Sequence, residues 1–213
     1  LFLWVIDGSF NILDAGYSSL ESFFVIAPWV FMFLIPAVTM RMFADEHKAG
    51  TLELLLTRPL TELQIIGAKF IAACLLVVLA LIPTLVFWYS VHALGDPVGN
   101  IDVGATLGSY IGLFLVGACY VGLGIMASAL TKNQVVAFIL GMFFCFFFYK
   151  GISSLASFEA LGALEYYVQL WSLDTHYSSI SRGVVDSRDL IFMFSFMAAS
   201  LFITQTVIRA RKW

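Results

Sequence analysis

Charge is what this sequence has least of. Only 12% of its 213 residues are Asp, Glu, Lys or Arg, against 61% hydrophobic, where an ordinary globular chain carries about 25% charged residues. A water-soluble fold could not cover that much apolar surface with so few polar groups, so the chain is an integral membrane protein. Its 11 basic and 14 acidic side chains give a formal charge of −3. The basic ones are not clustered as a groove binder's are, so no nucleic-acid partner is expected. No G-x-x-x-x-G-K-[ST] loop is present, which excludes ATP hydrolysis by this chain itself. Cys74, Cys119 and Cys145 stand singly inside apolar runs, without C-x-x-C or Cys/His spacing, and read as small buried hydrophobes. His47, His92 and His176 fall on loops of both faces with no ligand spacing. No catalytic, metal-binding or cofactor-binding set is expected. The complete spans also lack mid-membrane Asp, Glu, Lys and Arg, which argues against an ion-driven transporter or a proton channel.

What the sequence has is long apolar runs. A spanning helix needs about 20 residues. LFLWVI, residues 1–6, is too short and is expected to be the end of a first span, with no signal peptide. Residues 23–40 form the second span, with Pro28 and Pro36 expected to kink it. Residues 63–90 form the third, 106–130 the fourth, 134–150 a short fifth and 189–208 the last. Residues 151–180 are too charged for a lipid-facing span and too apolar for a free loop, so short helices at or dipping into the outer face are expected there. Thr131 to Gln134 has capping-box spacing. Asp186 is expected to cap the last span, with Arg182 and Arg188 pairing with Asp186 and Asp189. Arg41, Lys48, Arg58, Lys69, Lys132, Arg209, Arg211 and Lys212 fall on one side, against Lys150, Arg182 and Arg188 on the other. The side rich in Lys and Arg is the cytoplasmic one, which puts the C-terminus inside.

The charge that does exist is concentrated. The 29 residues from Arg41 to Lys69 hold eight charged side chains between two apolar runs, so they must reach water. The segment 44–62 carries its own helix signal. Gly50 breaks what precedes it, Thr51 can cap, and Glu53 suits the positive end of the new helix. Leu52, Leu55 and Leu56 make one apolar stripe. Pro59 ends the helix after Arg58, and Thr61-Glu62-Leu63-Gln64 has the spacing of a capping box for the next span. The stripe can rest on lipid headgroups or on the chain's own spans, or it can dock a separate subunit.

The run Glu46-x-x-x-Gly50-Thr51-x-Glu53-x-Leu55-Leu56, then Pro59, then Gly67-Ala68-Lys69, resembles the signature of type-2 ABC transporter permeases. With PWVFMFLIPAVTMR (28–41) and SISRGVVDSRDL (179–190), the likeness covers nearly the whole chain and is nearest to the gliding-motility-associated permeases of gliding bacteria. The resemblance implies an all-α polytopic membrane protein, a type-2 exporter transmembrane domain occupying 1–213 with six spans. It implies a cytoplasmic coupling helix between spans two and three and re-entrant helices before the last span. It further implies an ABC ATPase partner carrying ATP and Mg, a second permease subunit (the same or a related chain), and the bacterial inner membrane. Glu46, Gly50, Thr51, Leu52, Glu53, Leu55, Leu56, Arg58 and Pro59 are the implied ATPase-coupling residues.

In the fourth span, Gly108-x-x-x-Gly112 and Ala118-x-x-x-Gly122 are small-residue pairs that let a second helix approach closely, within this chain or across a subunit interface. A membrane-embedded enzyme would need acids or histidines gathered at one face, and only Asp186 and Asp189 gather outside. A non-transporting scaffold that couples an ATPase to surface motility or secretion machinery remains the alternative to an exporter.

Overall fold

The computed structural model describes residues 20–51, 61–95, 101–156 and 165–210. Their regular structure is helical throughout, with no strand among the described residues. In chain order the elements are α1 (Glu21–Thr39), α2 (Arg41–Ala49), α3 (Glu62–Leu81), a 3-10 turn (Ile82–Thr84), α4 (Leu85–Leu94) and α5 (Val103–Leu130). After these come α6 (Gln134–Phe146), a π-helical stretch (Phe147–Gly151), α7 (Ile152–Ala156), α8 (Glu165–Gln169), α9 (Leu173–Ile180) and α10 (Ser187–Ala210). Among the described residues five units are long and apolar enough to cross a bilayer: Glu21–Ala49, Glu62–Ala93, Val103–Leu130, Gln134–Ala156 and Ser187–Ala210. The all-α polytopic architecture is the one its composition requires. Residues 1–6, expected to end a first span, lie outside the described residues.

The bundle is organised round α5. Of its most apolar 18-residue window 89% is buried, against 11% for the α3–α4 unit, so one span is the hub and another an exposed blade. The cause is side-chain size. Lipid gives apolar helices little reason to associate, and close backbone approach is what holds them together. A Cβ on Gly108 would sit 2.6 Å from the Ile180 carbonyl oxygen, and one on Gly112 would sit 3.1 Å from the Tyr177 ring. Added carbons on Gly122 and Gly124 would collide with Ser200 and Thr39. Ala118 is buried as well. Gly108, Gly112, Ala118 and Gly122 are therefore buried against their own chain.

Two boundaries differ from the sequence reading. Arg41 to Ala49 is not loop but helix, prolonging α1 past its apolar part after a break at Met40. The helical path runs through Pro28 and Pro36 without interruption. The span beginning at Gln134 does not stop at Lys150: it winds through the π stretch to Ala156, reaching a full 23 residues. A count of uncharged residues stopped early because Lys150 has a partner. Its ammonium lies 2.8 Å from the Asp174 carboxylate, which makes a charge tolerable within the helix.

Capping explains where the helices begin. Thr61 accepts from the Gln64 N–H at 3.3 Å while Gln64 Oε1 accepts from the Thr61 N–H at 2.9 Å, the reciprocal box its spacing predicts. At the second expected box the cap falls on Asn133, whose Oδ1 accepts from the Val135 N–H at 2.9 Å. Gln134 is then free to donate to Asp45 on α2.

Candidate functional site

The bundle end that carries Arg41, Lys69, Lys132 and Arg209 is where the expected coupling segment begins. Residues 52–60 lie outside the described residues, and with them Leu52, Glu53, Leu55, Leu56, Arg58 and Pro59. Glu46, Gly50 and Thr51 are described, as is the frame that holds them.

That frame is built round α2. The break between α1 and α2 leaves backbone groups without helical partners. The Ser128 hydroxyl, near the end of α5, takes up three of them: it donates to the Met40 carbonyl at 2.9 Å and accepts from the N–H groups of Phe43 (3.0 Å) and Ala44 (3.1 Å). One donor and two acceptor sites are all that a hydroxyl has. Ser128, Phe43 and Ala44 are fully buried, so the break is fixed inside the protein.

A second tie comes from α3. The Lys69 ammonium donates to the Met42 carbonyl and to Glu46 Oε1, and stands 4.2 Å from the centroid of the Phe43 ring. A third is the Gln134 amide on Asp45. Three spans thus grip one nine-residue helix by five of its residues and its entry turn. Farther along the same end, Arg209 on α10 pairs with Glu62 at the start of α3.

The expected roles shift accordingly. Glu46 turns one carboxylate oxygen towards Lys69 of its own chain. Gly50 does break the helix: its φ of 69° is left-handed, and its N–H closes the end of α2 on the Glu46 and His47 carbonyls. A residue with a Cβ pays roughly 1–2 kcal/mol there. Thr51 Oγ1 lies 3.5 Å from the Glu46 carbonyl, a long contact that leans it back on α2. Lys69, read from the sequence as a motif residue and one of the charges that set orientation, emerges as the main tie. Ser128 went unnoticed, since a lone serine ending a run of Gly and Ala gives no sign that it faces a helix break more than eighty residues away.

At the opposite end the short helices pack inward. The Asp186 carboxylate caps α10 by accepting from the Arg188 N–H at 2.9 Å. Asp189, however, pairs with His176 at 2.7 Å and with neither arginine. The other ring nitrogen of His176 faces the Leu170 carbonyl at 2.9 Å, and its ring stacks on Phe192, centroids 4.0 Å apart. A carbonyl can only accept, so that nitrogen carries a proton. His176 is therefore no solvated loop residue but the bolt between α9 and α10. Tyr177 donates to the Phe24 carbonyl at 2.9 Å. Burial first, and the neighbouring Asp174 carboxylate second, hold its phenol above the ordinary range, so it stays a donor. Between the ends of α1, α5, the π stretch and α9 lies a cavity of about 560 Å³. Among the described residues no group of His, Cys, Asp and Glu has a metal-holding arrangement.

The arrangement ties α2 to α3, α5 and α6. A family model described as ABC-2 family transporter protein matches residues 8–208. No curated protein matches the chain.

Proposed function

The chain belongs to the ABC-2 transporter family, and from that premise we propose that it is the membrane half of an exporter driven by a separate ATPase, whose motion enters at 51–60. Family membership makes it a multi-pass permease subunit, which favours a reading with nucleotide hydrolysis on a separate polypeptide. The basic end then faces the cytoplasm, with the C-terminus on that side. Leu52, Leu55 and Leu56 fill a groove of the ATPase, Glu53 and Arg58 orient the contact, and Pro59 joins it stiffly to α3. ATP and Mg bind on the partner. A second permease, identical or related, completes the pathway in a bacterial inner membrane. The stretches 28–41 and 179–190 favour the gliding-motility-associated complex among the exporters.

The observation that carries this reading is the grip on α2 by Ser128, Lys69 and Gln134. A push on residues 51–60 arrives first at α2, and a loose α2 would dissipate it. Tied to α3, α5 and α6, it passes the push to three spans together. The test is Leu55→Asp in the full complex. The expected result is loss of ATPase co-purification with unchanged insertion of the permease, because a buried interface does not accept an unpaired carboxylate. Undiminished co-purification sinks the docking role. A complex that assembles and hydrolyses ATP but moves nothing across a panel of candidate substrates points instead to the scaffold.

A further inference from the structure

The cavity at the end opposite α2 has two chemically distinct walls. One is apolar and aromatic, formed by Phe24, Val25 and Trp29 of α1 with Tyr149 behind them. Val25 is 48% and Trp29 37% exposed, so this wall opens sideways towards lipid. The other is charged. Asp102 is used as the cap of α5, accepting from the Ala105 N–H at 3.0 Å. Asp174 and Lys150 satisfy each other at 2.8 Å. Ser109 donates to the Ser181 carbonyl at 3.2 Å. Arg182 is left: it lines the cavity, is exposed, and its guanidinium has no ion pair or hydrogen bond among the described residues.

We infer that this cavity binds a phospholipid-type amphiphile, a monoanionic phosphodiester head on Arg182 with its acyl part along Phe24, Val25 and Trp29. The volume lies within the usual range for small-molecule sites, about 300–1,000 Å³. Guanidinium and phosphate meet as a two-pronged, charge-assisted pair. The head must be of low charge. Three carboxylates, Glu21, Asp102 and Asp174, stand among the lining residues against two cations, so a diphosphate would be repelled where a single phosphodiester, or one balanced by an ammonium, is accepted. This deepens the exporter reading by naming the class of molecule handled at the outer mouth, and it rests on that reading for its orientation.

The test uses the full-length permease with its ATPase, in detergent and without nucleotide, so its outcome is independent of coupling. The probe is radiolabelled dihexanoyl phosphatidylethanolamine. Saturable binding is expected, displaced by the unlabelled lipid and at least about tenfold less well by dihexanoylglycerol, by phosphorylethanolamine or by farnesyl diphosphate. Arg182→Gln should weaken binding about tenfold, as loss of a charge-assisted bond does, while Arg182→Lys keeps most of it. Val25→Trp, on an exposed face, should block the acyl wall without unfolding the chain. Equal competition by dihexanoylglycerol reduces the site to an apolar pocket, and equal competition by phosphorylethanolamine to a phosphate site; either overturns the inference. So does unchanged affinity in Arg182→Gln, tighter binding of the diphosphate, or no saturable binding. Loss of ATPase association in Leu55→Asp, by contrast, leaves the lipid result untouched.

Discussion

At the scale of single residues, the position that decides most is Ser128. Its hydroxyl satisfies three buried backbone groups at the break above α2. Ser128→Ala removes the partner and leaves the groups in place, the costly direction, at about 1–3 kcal/mol for each buried group left unsatisfied. The expected outcome is a lowered thermal midpoint of the purified permease together with weaker stimulation of the ATPase by the permease. A lowered midpoint with full stimulation would mean that the break is structural only. Some residue roles could be read in the sequence and others could not, for a physical reason. Gly50, the Thr61–Gln64 box and the Asp186 cap act on backbone within four residues, where spacing along the chain is spacing in space. Ser128, Lys69 and His176 act on groups 13 to 88 positions away, and no local pattern reports those. Asp189 misled for a related reason: two arginines stood near it in sequence, while the histidine that reaches it comes from the neighbouring short helix.

At the scale of elements, α9 and α10 are held together by the His176–Asp189 pair in a setting where His176 is 7% and Asp189 8% exposed. Breaking a buried pair from one side costs about 3–5 kcal/mol, because a charge stays behind unmatched. His176→Ala should therefore loosen α8 and α9 from the end of the last span, seen as faster cleavage between residues 165 and 186 by a protease added from outside, with the rest of the bundle still protected. Cleavage at the wild-type rate would show that packing of Tyr177 and Ile180 on Gly108 and Gly112 is enough by itself. The existence of the spans was plain from composition, and their ends were not. Ends depend on whether a charge finds a partner, as Lys150 does in Asp174, and on helix that continues into water once its apolar stretch is over, as α2 does.

For the whole molecule, the arrangement predicts two chemically opposite faces. Single cysteines placed at Lys132 and Lys150 in a background without native cysteines should react with a membrane-impermeant thiol reagent from opposite sides of sealed vesicles, Lys132 from the cytoplasmic side. Reaction of both from one side would undo the topology and with it the place of the coupling segment. The hub-and-blade division also bears on how a push from below spreads. With α5 enclosed and touched by most other spans, it moves only if they move with it, whereas the α3–α4 unit is exposed along most of its surface and is held by fewer neighbours. The fold at this level followed from the distribution of glycine. The coupling frame did not, since it depends on side chains that meet only after the spans have assembled.

The π stretch from Phe147 to Gly151 fits one more residue into its coil than regular winding would take, and each residue turns the chain by about 100°. Everything downstream is rotated by that amount, and Lys150, inside the stretch, meets Asp174 from there. Excising a single codon here would let the helix relax to ordinary pitch with its apolar length scarcely altered. It would also swing the ammonium away from its carboxylate, so that a one-residue deletion could rewire the outer cavity while the protein still inserted as before.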